Sequence, residues 1–220
     1  MEIYHFFMKK IKNTFRILLV ALLCFGSYSF AHAQTKKPLY SLDRMISLQG
    51  NNRYDYLFVN PKTQKLYVTH GDRLDVINAT TNTRIGAIKK LGEIHGVAID
   101  NKLHRGFVSD NKNRSVDVFK PGPLKLIKKV HLKGKDQDCT ILDPVSGKIF
   151  VYEGDSRQVV VVNPKTMKEV KVIPLGGKPE FAVSNGKGLI FNNLEDKGKV
   201  AVIDVHKMKV IKKYDLSEYG

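Results

Sequence analysis

The sequence predicts an all-β protein made of four tandem units, each a small four-stranded sheet. Three observations carry that prediction. Short runs rich in Val, Ile, Phe and Tyr alternate with turn residues from residue 54 onward. Equivalent residues recur about every 42 positions. No stretch of the repeats has the apolar period of an amphipathic helix.

The elements begin with a leader. Lys9, Lys10, Lys12 and Arg16 precede an unbroken apolar run from Ile17 to Phe25, and Ala31-His32-Ala33 then supplies the small residues a signal peptidase requires. A signal peptide over 1–33 is therefore expected, with Gln34 as the first mature residue and an exported chain, periplasmic or extracellular. The apolar run is shorter than the roughly 20 residues of a membrane span. Met8 opens a compact leader of its own, and Leu23 before Cys24 disfavours lipoprotein processing. No transmembrane segment is expected after cleavage. Within the N-terminal segment 34–53, Arg44–Gly50 matches Lys128–Gly134, so an orphan outer strand is expected there.

The repeats follow over 54–220, as units of about 54–92, 93–134, 135–177 and 178–220. Asn60, Asp100, Asp143 and Ser184 each stand seven residues before an aromatic: Tyr67, Phe107, Phe150 and Phe191. Ile77, Phe119, Val162 and Ile203 form a third column, and Ile85, Ile127, Val170 and Ile211 always follow eight residues later. The third unit displays the strands plainly. Thr140–Leu142 is strand A, Asp143–Gly147 a turn, Ile149–Tyr152 strand B and Val159–Val162 strand C. Asn163–Thr166 turns the chain into strand D, Lys168–Ile173. Strand C is apolar throughout, as a strand covered on both faces is. Strand D alternates Glu169 and Lys171 with Val170 and Val172, as an outer strand with one wetted face does.

One such sheet buries too little to stand alone, so neighbours must stack face to face, which is the β-propeller solution. The runs KLYVTH, GFVSD, KIFVYE and LIFNN, each followed by a V-x-V-I-like strand, resemble the YVTN-type β-propeller repeats. The stretch from Gly177 to Ser184 resembles that family's lead-in to strand A, which the first two units lack. The likeness covers about residues 45–216. It implies a secreted or periplasmic propeller, in rings of about seven blades, some of whose members bind nucleic acid. Four blades with a spare outer strand are then read as an incomplete ring. A closed four-blade ring and two paired half-rings are the alternatives. In the open cases the end faces are apolar and invite self-association.

The D–A and B–C connections of such blades converge on one face around the channel, the expected site for a protein or small-molecule ligand. Candidate channel-face residues are Asp55, Glu93, His95, Asp136, Asp138, Lys178 and Glu180. The B–C loops add His70, Asp110 and Glu153. Glu93, His95 and Asp138 are the one set with metal-ligating chemistry, and they motivate a metal-dependent enzyme as an alternative to a non-catalytic binding or scaffold module. No spacing demands a metal, and no catalytic residue or cofactor is assigned. Phosphate-loop, dinucleotide and G-x-S-x-G signatures are missing from the sequence, and it has no Trp to serve as a stacking platform. Cys139 is the mature chain's one cysteine, and it reads as a small core residue.

Charge supplies the other signal. The formal net charge is +16, with lysines concentrated on D strands and the segments leaving them. Lys89, Lys90, Lys128, Lys129, Lys133, Lys135, Lys212 and Lys213 are the candidates for a basic rim that binds nucleic acid or another polyanion. Lysines on outer strands also block edge-to-edge aggregation, and that alternative reading needs no partner.

Overall fold

The computed structural model describes residues 40–50, 53–216 and 218. The expected leader lies outside them. The chain divides into two units, 1–45 and 46–220, and all the repeats belong to the second.

Among the described residues sixteen strands form four antiparallel sheets. The first contains β1 (Tyr54–Asn60), β2 (Lys65–His70), β3 (Arg73–Asn78) and β4 (Thr83–Ile88). The second contains β5 (Ile94–Asp100), β6 (Arg105–Asp110), β7 (Ser115–Lys120) and β8 (Lys125–His131). The third contains β9 (Gln137–Asp143), β10 (Lys148–Glu153), β11 (Gln158–Asn163) and β12 (Lys168–Pro174). The fourth contains β13 (Pro179–Ser184), β14 (Leu189–Leu194), β15 (Lys199–Asp204) and β16 (Lys209–Asp215). Each sheet is a simple meander with strands in chain order.

The first sequence column caps the A–B hairpins. Asn60, Asp100 and Asp143 accept the backbone N–H two or three residues on, from Lys62 (3.1 Å), Lys102 (2.8 Å) and Ser146 (2.7 Å). Ser184 keeps to this column, accepting from Gly186 N at 3.1 Å while its hydroxyl donates to Asp143 of the third sheet at 2.7 Å. The fourth hairpin is one residue shorter, and Asn185 adds a second cap there, accepting from Lys187 N at 2.8 Å.

The core lies between the sheets. One cluster joins Tyr67, Leu74 and Val76 of the first sheet to Val97, Val108 and Phe119 of the second. Another joins Phe107, Val116 and Val118 to Ile149, Val151, Val160 and Val162. The last joins Phe150, Val159 and Val161 to Ile190, Ala201 and Ile203. The aromatic column therefore occupies matching places: Tyr67, Phe107 and Phe150 are fully buried against the next sheet. Phe191 is only half-buried, since among the described residues no further sheet covers it.

The end faces are apolar, with Leu57 and Val59 more than half exposed on one and Phe181 and Val183 on the other. The buried clusters join the first sheet to the second, the second to the third and the third to the fourth; from the first sheet, Tyr56 packs against the cluster of the third and fourth.

Two expectations are corrected. Residues 41–48 form no strand, so the outer strand expected over Arg44–Gly50 is not made. Each sheet already holds its own fourth strand beside strand C, which leaves no edge there to receive another. Val170 does not lie on a sheltered face. Val161 pairs with Lys171 but Val162 with Glu169, so Val170 is the extra residue of a β-bulge and stands 50% exposed. The same bulge recurs in every outer strand, at Ile85, Ile127 and Ile211.

Candidate functional site at the channel mouth

A second bulge recurs in every inner strand, and it builds the site. Two residues of strand A oppose one of strand B: Asp55-Tyr56 against Thr69, His95-Gly96 against Ser109, Asp138-Cys139 against Tyr152, and Glu180-Phe181 against Asn193. A bulge disrupts the ladder and re-aims side chains. Polar partners fill the gap: Thr69 Oγ1 donates to Tyr56 O (3.0 Å), Gly96 N donates to Ser109 Oγ (2.8 Å), and Phe181 N donates to Asn193 Oδ1 (2.7 Å). Thr69 and Ser109 are fully buried for this reason.

The first bulge residue of each blade faces its counterparts. His95 Nδ1 lies 2.6 Å from Asp55 Oδ2, across the first two blades. The carboxylate only accepts, so Nδ1–H donates. His95 Nε2 is buried and has no hydrogen-bond partner. Asp55, His95 and Asp138 each bring one ligating atom within 4.8 Å of the others. Glu180 hydrogen-bonds to Asp138, and burial, followed by the charges of Glu180 and Asp55, pushes the Asp138 carboxyl up to about 8. Gly96 permits this convergence, because a Cβ there would meet Thr140 N of the next inner strand at 2.3 Å.

Backbone bonds confirm that the D–A and B–C connections share this face. Asn111 N donates to Glu93 O, Gly154 N to Asp136 O, and Glu195 N to Lys178 O, all within 2.9 Å. A cleft of about 540 Å³ opens here, lined by Arg53, Asp72, Glu93 and Lys112 at its rim and by Asp55 and His95. The other stretch of the channel is apolar, a cavity of about 360 Å³ between the four inner strands, with Phe58, Ala98, Ile141 and Val183 in its wall.

The remaining candidates are placed differently from expectation. Glu93 stands apart from the carboxylate–imidazole cluster and accepts from Asn111 at 3.3 Å, because it precedes the bulge. Asp136 pairs with Lys178 (3.8 Å), which also pairs with Glu195 (2.8 Å), in the connection between the third and fourth blades. His70, Asp110 and Glu153 are fully buried and serve the interior. Glu153 accepts from Gln137 and Gln158, and Asp110 from Gly92 N, so each braces the connection entering its blade. Burial also pushes the Cys139 thiol up to about 12, which leaves no thiolate for nucleophilic chemistry near neutral pH.

The basic residues divide. Lys128, Lys212 and Lys213 are exposed on outer strands, whereas Lys89, Lys90, Lys133 and Lys135 are exposed in the D–A connections on the loop face. Lys129 is drawn inward onto the buried carboxylates of Asp117 and Asp110. The sequence missed this role because the D-strand pattern gives Lys129 no distinction from Lys128. Asp117, two residues into a C strand, was the available signal.

Four-stranded meanders stacked face to face around a channel define a β-propeller, and the solved structures similar to this chain agree. Kuenenia stuttgartiensis hydrazine synthase matches at a TM-score of 0.65 and 16% identity, over 71% of this chain and 47% of that one. The β-propeller domain of Myceliophteria thermophila Cps50 (Swd1) matches at 0.64 and 12%, over 77% and 57%. The dihydro-heme d1 dehydrogenase NirN, in complex with DHE, matches at 0.59 and 11%, over 76% and 38%. The chain thus spans about half the length of these neighbours or less. No family model and no curated protein matches the sequence. At these identities the likeness establishes the fold.

Proposed function

We propose that the chain is an exported, non-catalytic binding module of the YVTN-type propeller class, which takes a small polar ligand at the loop-face mouth of its channel. One observation carries the reading: equivalent bulges in four successive blades aim Asp55, His95, Asp138 and Glu180 at one place, and a cleft opens directly on two of them. The cleft's lining sets the cationic groups of Arg53 and Lys112 beside the carboxylates of Asp55, Asp72 and Glu93. Such a mixed lining suits a small ligand that carries groups of both charges. The repeat motifs KLYVTH, GFVSD, KIFVYE and LIFNN support the family, and the basic-apolar leader with Ala31-His32-Ala33 supports export.

The test is a thermal-shift screen of small carboxylates and amino acids on the wild type and on Arg53→Glu and Lys112→Glu. At least one compound is expected to raise the melting temperature of the wild type and not of the rim variants. A flat screen, or equal shifts in all three proteins, would exclude the cleft as the ligand site.

A further inference from the structure

We infer that Asp55, His95 and Asp138 form a binding site for one divalent transition-metal ion, of the Mn²⁺ to Zn²⁺ class, at the floor of the cleft. The inference rests on the channel-mouth reading and gives that site its inorganic component.

Two independent features point to an ion. The first is geometric: one imidazole and two carboxylates, drawn from three different blades, bring ligating atoms within 4.8 Å of one another. An ion with bonds of about 2.0–2.2 Å to nitrogen and oxygen is held by such a set after small side-chain rotations. The second is the approach of two of these donors across a blade boundary: His95 Nδ1 lies 2.6 Å from Asp55 Oδ2, so an ion that displaces the proton between them is held by both.

The surroundings fit the same ion. Asp138 and Glu180 are joined by a side-chain hydrogen bond and burdened by each other's charge, which a cation relieves. Glu180, hydrogen-bonded to Asp138, is its positioning residue. An imidazole among the donors selects a transition metal over Ca²⁺ or Mg²⁺, which prefer all-oxygen cages. The side chains of His95 and Asp55 are 20% and 39% exposed toward the cleft, so the ion has a way in. Among the described residues three protein groups reach it, which leaves positions for the cleft's ligand.

Tag-free protein, stripped with chelator and dialysed, is titrated by calorimetry with Zn²⁺, Mn²⁺, Ca²⁺ and Mg²⁺, and with Co²⁺ for its visible absorption. One equivalent of Zn²⁺ or Co²⁺ is expected to bind, with Co²⁺ showing a nitrogen–oxygen spectrum and with a rise in melting temperature. Affinity is expected to fall at least about tenfold in His95→Gln and Asp138→Asn, and to hold in Glu93→Gln. Absence of a stoichiometric ion, equal binding by those two variants, or Ca²⁺ binding as tightly as Zn²⁺ would overturn the site. Circular dichroism verifies that each variant is folded, and the two inner-site variants stand in for one another if either is not. Arg53→Glu separates the two proposals. Metal binding retained there with no organic ligand found sinks the cleft reading alone, and a ligand bound without metal sinks this one alone.

Discussion

A single buried carboxylate shows how this fold tolerates charge. Asp75 is fully buried, and its oxygens accept from Arg73 (2.9 Å) and Arg84 (2.9 Å), with His70 Nδ1 at 3.1 Å. Burial alone would raise the carboxyl, but these hydrogen bonds outweigh it and hold the group below its ordinary value. Because the folded value is depressed, the stabilisation is present above the unfolded value and is lost as pH falls through the folded one. Asp75→Asn is expected to cost about 3 kcal/mol near pH 7 by urea denaturation. The gap to wild type should close as the pH is taken from about 5 to about 2. A gap that does not change with pH would show that the ion pairs are not its source.

At the scale of the strand, the repeat pattern carries two kinds of residue that look alike in sequence. Phe119 is a core position between sheets, whereas Ile127 is an outer bulge residue standing 40% exposed. Phe119→Ala is expected to cost about 3–5 kcal/mol. Ile127→Thr should change stability by no more than about 0.5 kcal/mol, although its column recurs in all four repeats. Equal losses in chemical denaturation would contradict the bulge. This contrast also marks what was legible beforehand. The strands, their order and the aromatic core column follow from periodicity, because stacking demands an apolar residue at the same height in each sheet. Bulges do not show in that way. An extra residue shifts register without changing composition, so Val170 reads as sheltered. The channel-face candidates Asp55, His95, Asp138 and Glu180 were legible as equivalent positions in successive connections. Glu93 was legible only as a nearby carboxylate, since nothing in the sequence distinguishes the residue before a bulge from the one within it.

At the scale of the whole repeat unit, the end faces expose apolar side chains. Phe181 and Val183 are 54% and 55% exposed, beside the half-buried Phe191. Faces of this kind draw copies together. Sedimentation of the chain is expected to show concentration-dependent association that Phe181→Lys with Val183→Lys suppresses. A species of one mass over a wide concentration range, unchanged by that double substitution, would remove the expectation.

Tyr56 gives these stacked sheets a property that linear repeat arrays lack. It leaves the first blade, sets its ring 6.0 Å from Phe181 and donates its hydroxyl to Glu180 O at 3.1 Å in the fourth. In an ordinary array stability passes only between adjacent units, and terminal modules peel away one at a time. Here a strut across the axis ties the first module to the last, so the unravelling of either tail strips a partner from the opposite one and the two melt as a pair.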